Sequence, residues 1–419
     1  SDGQLGDGGT SDQTTPKPTS SLGAGRMAVG LSSGYFHTCL ILDNGSSSCW
    51  GDGSYGQLGN GATSDQPQPT LTSSLGSGRV ASLSERDFDG DGNFTVFQTH
   101  TTFVDRTQSL SSGDGYTCAL LDNGSVSCWG GGLDGRLGNG GTSDKTTPTL
   151  TSGFGNNQTA VALSSSVNAH MCALLDNGSV ACWGWGTSGQ MGNGGTSSST
   201  TPTPTSSLGT GRTAVGISAG AYHTCALLDN GAVSCWGKGS SGQLGHGGTS
   251  DKTTPTLTSS LGTGRTAVSL SSGMYHTCAL LDNGSVSCWG EGTSGKLGSG
   301  GSSQQNSPTL TSSLGVGRTA TAISAGGYHT CALLDNGAVS CWGLNNYGQL
   351  GNGGTSSKTT PTLTSSLGAG RTAVAISSGN YHTCALLDNG ALSCWGFGNK
   401  GQLGNGGTSN KYTPTLTSS

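Results

Sequence analysis

Short apolar or alternating runs recur along the chain, separated by clusters of Gly, Asn, Asp and Ser. Residues 238–290 hold one period of this pattern. A glycine loop (KGSSGQLGHGGTSDK) and a proline segment (TTPTLTSSLGTGR) precede the runs TAVSL, HTCALL and SVSCW. Runs this short, rich in β-branched residues and without a 3.6-residue period, predict strands and no helix. PTLTS predicts a fourth, outer strand, because Pro is tolerated at a strand start or on an edge. The DNG between HTCALL and SVSCW predicts a hairpin whose glycine takes the left-handed conformation that a three-residue loop needs.

Cysteine sets the period. The pairs are Cys39 and Cys49, Cys118 and Cys128, Cys172 and Cys182, Cys225 and Cys235, Cys278 and Cys288, Cys331 and Cys341, and Cys384 and Cys394, which use all 14 cysteines. From Cys172 on, each pair follows the last by 53 residues. Seven such units predict an all-β, seven-bladed propeller with about four antiparallel strands per blade. If Asp43, Asn44 and Gly45 form the loop, Leu42 faces Ser46 and Cys39 faces Cys49. Opposed Cβ atoms then lie near disulfide range. Zinc sites use C-x2-C spacing, which does not occur. The expectation is one disulfide per hairpin and hence an oxidising compartment, extracellular or cell-surface.

Charge narrows the function classes. Charged residues make up 9% of the chain, the net charge is −5, and Lys and Arg never cluster. Counterion release on nucleic acid needs such a cluster, so nucleic acid is not an expected partner. No stretch approaches the ~20 apolar residues of a membrane span. The chain opens at Ser1 in mid-pattern and without a signal peptide, which suggests a processed or trimmed start.

The recurring G-x-x-x-G-Q-L-G-x-G, then Pro, then S-x-G-x-x-H-T-C-A-L-L-D-N-G and C-W-G, resembles the regulator of chromosome condensation repeat family. The resemblance covers nearly the whole chain. It implies a seven-bladed propeller and a protein-binding surface, the feature shared by relatives that include exchange factors, photoreceptors and enzyme inhibitors. The disulfides, low charge and lack of basic tails depart from the nuclear members and argue against GTPase exchange or chromatin binding.

Several motifs read as parts of the fold. G-x-S-x-G at Gly30–Gly34 and Gly216–Gly220 would place a nucleophile at Ser32 or Ser218, but an elbow needs a strand–turn–helix context. Histidine before Thr-Cys (His37, His223, His276, His329, His382, with His170 in AHMC and Tyr116 in the second unit) reads as a hydrogen-bonding residue at a strand start. One Trp per unit, in CWG, reads as core. No enzyme is expected. The stretch 85–108 is unique to the second unit. There Asp87, Asp89, Asp91 and Asn93 match the start of a calcium loop, although Gln98 stands at the twelfth position, making calcium the one candidate cofactor. Sequons occur at Asn44, Asn93, Asn123, Asn157, Asn177 and Asn283. The Asn-Gly turn alone explains the asparagine at four of them.

Function is expected where blades differ. The positions after CWG and before the hairpin carry Tyr55, Trp185, Tyr222, Tyr275, Tyr328, Tyr347, Tyr381 and Phe397, residue types suited to contact surfaces. There are eight glycine loops for seven hairpins, so residues 1–419 read as one propeller with a surplus half-repeat, 401–419, or its N-terminal counterpart, 1–23. The expected role is an extracellular, non-enzymatic scaffold, by adhesion or by self-assembly into filaments. The expected partners are other copies of the chain, an extracellular protein or a glycan. The alternative is a secreted propeller with one specific target, inhibitor-like or lectin-like.

Overall fold

A computed structural model of the chain describes residues 28–33, 37–42, 44–75, 81, 110–166, 168–389, 392–398, 403 and 409–416. The calcium candidates Asp87, Asp89, Asp91 and Asn93, the insertion 85–108 and the segment 1–27 lie outside these residues. Among the described residues, no three metal-ligating side chains come together.

The fold is a seven-bladed, all-β propeller with four antiparallel strands per blade, each blade built from consecutive strands. In the fourth blade these are Ala214–Ala219, His223–Leu228, Val233–Gly237 and Lys252–Leu257, counted outward from the axis. The inner strands of successive blades lie side by side. The second strand opposes the third with Cys225 directly across from Cys235, and every other blade repeats this register.

Each hairpin carries its own disulfide, as the spacing predicts. Cys39 bonds Cys49, Cys118 bonds Cys128, Cys172 bonds Cys182 and Cys225 bonds Cys235. In the last three blades Cys278 bonds Cys288, Cys331 bonds Cys341 and Cys384 bonds Cys394. No described cysteine is free. The register follows from the turn. Leu42 N–H donates to Ser46 O at 2.9 Å, Gly45 N–H donates to Leu42 O at 2.8 Å, and Gly45 holds φ 74°.

The outer strand differs in extent from the PTLTS segment expected of it. It spans Lys252–Leu257, so Pro255 sits inside the strand and not at its start. The ladder to the third strand shifts register between Cys235 and Gly237, and this irregularity accommodates a proline that has no N–H to donate. The segment 401–419 also departs from its expected surplus role. Its residues Lys411–Leu416 form the outer strand of the seventh blade, pairing Cys394 with Thr415 and Ser393 with Leu416.

Blades adhere through apolar layers. Between the third and fourth, Cys172, Leu174, Val180, Cys182 and Met191 meet Ala214, Ala226, Leu228 and Trp236. The glycine loop of one blade clamps the tryptophan of the next. Trp236 Nε1–H donates to Gln190 O at 2.8 Å, Trp289 to Gln243 O at 2.9 Å and Trp395 to Gln349 O at 2.9 Å. The indole approaches so closely that a Cβ on Gly245 would lie 2.7 Å from Trp289 Nε1. The recurrent glycine there is therefore a packing requirement.

Candidate binding surface

The serines of the two G-x-S-x-G stretches and the histidines before Thr-Cys take structural roles. Ser218 Oγ accepts from Ser272 N–H at 2.9 Å, tying adjacent inner strands, and Ser32 Oγ donates to Ser112 Oγ at 2.8 Å. The histidines are buried and bridge blades. Nε2 lies 2.8 Å from Thr117 Oγ1 for His37, 3.0 Å from Thr224 for His170, 2.8 Å from Thr277 for His223, 2.9 Å from Thr330 for His276 and 2.7 Å from Thr383 for His329. Tyr116, holding the place in the second blade, donates its hydroxyl to His170 O at 3.0 Å. Burial lowers the histidine pKa to about 3 at His170, His223 and His329, and to about 4 at His382 and, against the opposing pull of Asp52, at His37. Such residues stay neutral at physiological pH and hold the ring together.

The variable positions gather elsewhere. Each second strand begins, and each third strand ends, at the same end of its blade, here called the upper face. A backbone bond joins the two positions: Lys238 N–H donates to Tyr222 O at 2.9 Å, Glu291 to Tyr275 O at 2.9 Å and Phe397 to Tyr381 O at 2.9 Å. Because the blades are copies, this places one variable pair per blade at a similar height.

Seven of the eight expected contact residues line one arc of that face. Trp185 packs edge-on to Tyr222 at 5.6 Å, and Tyr222 stacks on Tyr275 at 5.2 Å with 18° between planes. Tyr328 stacks on Tyr381 at 5.0 Å and 14°. Tyr347 meets Tyr381 at 5.3 Å and Phe397 at 4.9 Å. The eighth, Tyr55, is 54% exposed and lies beside Gly115 and Gly131 of the second blade. There Gly115, and Ala169 in the third blade, hold the place taken by tyrosine in blades four to seven.

Charge enters the arc at residues not expected from the sequence. Lys238 Nζ lies 5.2 Å from the centre of the Tyr222 ring, and Lys296 Nζ 5.4 Å from that of Tyr328. Lys296 also bonds Glu291 at 2.7 Å. The sequence carries a signal for this pair: GKLG replaces the usual GQLG only in the unit where Glu follows CWG. Desolvation lowers the Lys296 pKa, opposed by Glu291. Tyr275 is pushed up to about 12 by desolvation among its neighbours and then by its hydrogen bond with Tyr222. In the loops of blades three, four and six, Gln190, Gln243 and Gln349 are buried with Nε2 left without a protein partner. Gln57 instead donates to Asp52 at 2.9 Å.

Repeated blades, each stapled by its own disulfide and carrying variable residues at the upper face, define a β-propeller of the repeat type. The chain belongs to the regulator of chromosome condensation family of propellers. Residues 167–419 match the RCC1-like domain, and residues 28–57 and 49–84 match the regulator of chromosome condensation (RCC1) repeat. The chain is 33% identical over 306 residues to the ultraviolet-B receptor UVR8 of Arabidopsis thaliana, covering 73% of this chain and 68% of the receptor. It is 32% identical over 312 residues to the human E3 ubiquitin-protein ligase HERC2, covering 74% of this chain but only 6% of that protein. The fold is similar to human WBSCR16 (TM-score 0.69, 21% identity, 88% of this chain and 93% of that one). It is equally similar to yeast RCC1 (Prp20) bound to Kap60 (TM-score 0.69, 20% identity, 98% and 89%). Ligase activity does not follow from a match spanning 6% of the ligase.

Proposed function

We propose that the protein is an extracellular, non-enzymatic propeller scaffold that works by adhesion, with the aromatic arc from Trp185 to Phe397 as its contact face. The arc is the observation that carries this reading. A fold that keeps every blade alike has no structural use for clustered, partly exposed Trp, Tyr and Phe at its few free positions. Aromatic side chains supply large contact area at low entropic cost. The seven disulfides fit an oxidising compartment. Among the described residues, no helix is long and apolar enough to cross a membrane. The candidate surfaces are extracellular proteins and glycans. The test is retention of the purified protein on an array of immobilised polysaccharides and extracellular matrix proteins. The double variant Tyr275→Ala/Tyr328→Ala is predicted to lose retention while keeping its fold, and equal retention would refute the assignment of the face.

A second reading, self-assembly, is favoured by the seventh blade. Leu386 is 37% exposed there, whereas its counterparts Leu174, Leu227, Leu280 and Leu333 are 7% exposed or less, each covered by the following blade. A second copy would cover that face with the same chemistry that joins blades within the chain.

A further inference from the structure

The chain's glycosylation sequons all fall, where described, at one end of the propeller. The DNG turns, which join second and third strands, mark the lower face, opposite the aromatic arc. Asn44, Asn123, Asn177 and Asn283 occupy these turns in blades one, two, three and five, and all four are exposed. Asn157 is exposed too and holds φ 55° in the loop entering the third blade. It belongs to the same face, because that loop runs against the Asn123 turn: Ala160 N–H donates to Gly124 O at 2.8 Å. The upper-face loops that follow CWG contain Asn139, Asn193 and Asn352, each in an Asn-Gly-Gly that cannot serve as an acceptor.

The turn explains the asparagine at the four DNG sites, but it does not explain the serine. Ser46, Ser125, Ser179 and Ser285 each donate a hydroxyl to the Oδ1 of the asparagine two residues earlier, at 2.7, 2.6, 2.7 and 2.7 Å. Blades four and six place Ala232 and Ala338 at this position. Their turns keep the same backbone bonds: Ala232 N–H to Asn230 Oδ1 at 3.1 Å, and Ala338 N–H to Asn336 Oδ1 at 3.2 Å. Gly231 and Gly337 hold φ 75°, as Gly284 does. The fold thus accepts alanine, and the turn does not require the hydroxyl. With Oδ1 engaged by the hydroxyl and the backbone, the amide Nδ2 is the asparagine's remaining reactive group. An Asn-x-Ser with an exposed amide is the acceptor for N-linked glycan.

We infer that the lower face carries N-linked glycans at Asn44, Asn123, Asn157, Asn177 and Asn283, leaving the aromatic face bare. In the transfer, Nδ2 bonds to the anomeric carbon of a lipid-diphosphate-linked oligosaccharide. The lipid diphosphate leaves, and the amide gives up one proton. Glycan on the lower face shields it sterically and turns every contact toward the arc. The inference rests on the extracellular reading above, because the transfer occurs in a secretory compartment.

The test is secretion of the full chain from a eukaryotic host, followed by release of N-glycans with a peptide N-glycosidase in heavy-oxygen water. Heavy-oxygen aspartate is expected at the five asparagines. The variants Ser125→Ala and Ser179→Ala should each lose one glycan mass while keeping the parent's circular dichroism and seven disulfides. A secreted, fully disulfide-bonded protein without glycan at these sites would overturn the inference and leave the extracellular scaffold standing. A chain retained inside the cell with free thiols would overturn both.

Discussion

Trp289 shows how much of this molecule rests on single residues. It is fully buried between blades and donates to Gln243 O at 2.9 Å. Trp289→Ala should cost about 3–5 kcal/mol, mainly from the cavity, since Gln243 O keeps its bond from Thr277 Oγ1 at 3.0 Å; denaturant unfolding measures it. That Trp is core is legible from its spacing, one per unit. Its hydrogen-bond acceptor is not, because a backbone carbonyl carries no sequence signal. The histidines lie between these cases. A hydrogen-bonding role is readable from their copying around the ring. The partner, a threonine 54 residues on, is the period plus one and is recoverable in principle. These histidines also set a pH dependence. Their folded pKa values lie below the ordinary 6.5, so the neutral form is the one the fold favours. The stability they support is complete above pH 6.5. It declines as pH falls from 6.5 through about 4 and toward 3, as the unfolded chain takes up protons that the folded one refuses. Thermal melts should show the midpoint dropping steadily over this window. A flat profile from pH 7 to 4 would mean these side chains are not buried neutral.

Among the elements, the stapled hairpin is the most legible, because HTCALL-DNG-SVSCW contains both its turn and its register. An eleven-residue loop gives the chain-entropy model a ceiling of ~3 kcal/mol per disulfide, and a hairpin that already aligns its ends gains less. Replacing Cys278 and Cys288 together by alanine should therefore cost under about 3 kcal/mol and leave the blade folded. The recurrent glycines look alike in sequence, yet their positions are unequal, as one from the glycine loop and one from the proline segment show. Gly298 has φ +72° and a Cβ there would sit 2.7 Å from Trp342 Nε1, whereas Gly317 has φ +67° and open space. Gly298→Ala should cost roughly 2–4 kcal/mol, from left-handed strain plus displacement of the indole. Gly317→Ala should cost about 1 kcal/mol, from strain alone. Equal losses would show that the indole does not press on this loop. The extent of the outer strand is not legible, because a proline usually marks a strand's start, and the register shift that admits Pro255 inside it is invisible without the partner strand.

For the whole molecule, the blade count and the aromatic positions are readable because the repeats supply their own comparison: whatever varies is not required by the fold. The joining of those positions into one arc is not readable, since it depends on blade curvature bringing Tyr222 onto Tyr275 and Tyr328 onto Tyr381. The seventh blade's role for Lys411–Leu416 also emerges only in three dimensions, as two terminal segments of nearly the same sequence compete for one place in the count. If the Leu386 face joins copies, sedimentation velocity should show concentration-dependent association that Leu386→Asp abolishes, with Leu133→Asp, at a 65% exposed site, as the neutral control. The measurement that bears most directly on the scaffold reading is retention on immobilised extracellular polysaccharides and matrix proteins, comparing the parent with Tyr275→Ala/Tyr328→Ala at matched disulfide content. The account predicts roughly a tenfold or greater loss of retention for the double variant, the scale expected when two aromatic anchors are truncated, with an unchanged melting profile. Undiminished retention, or a parent protein that adheres to none of these surfaces, would contradict it.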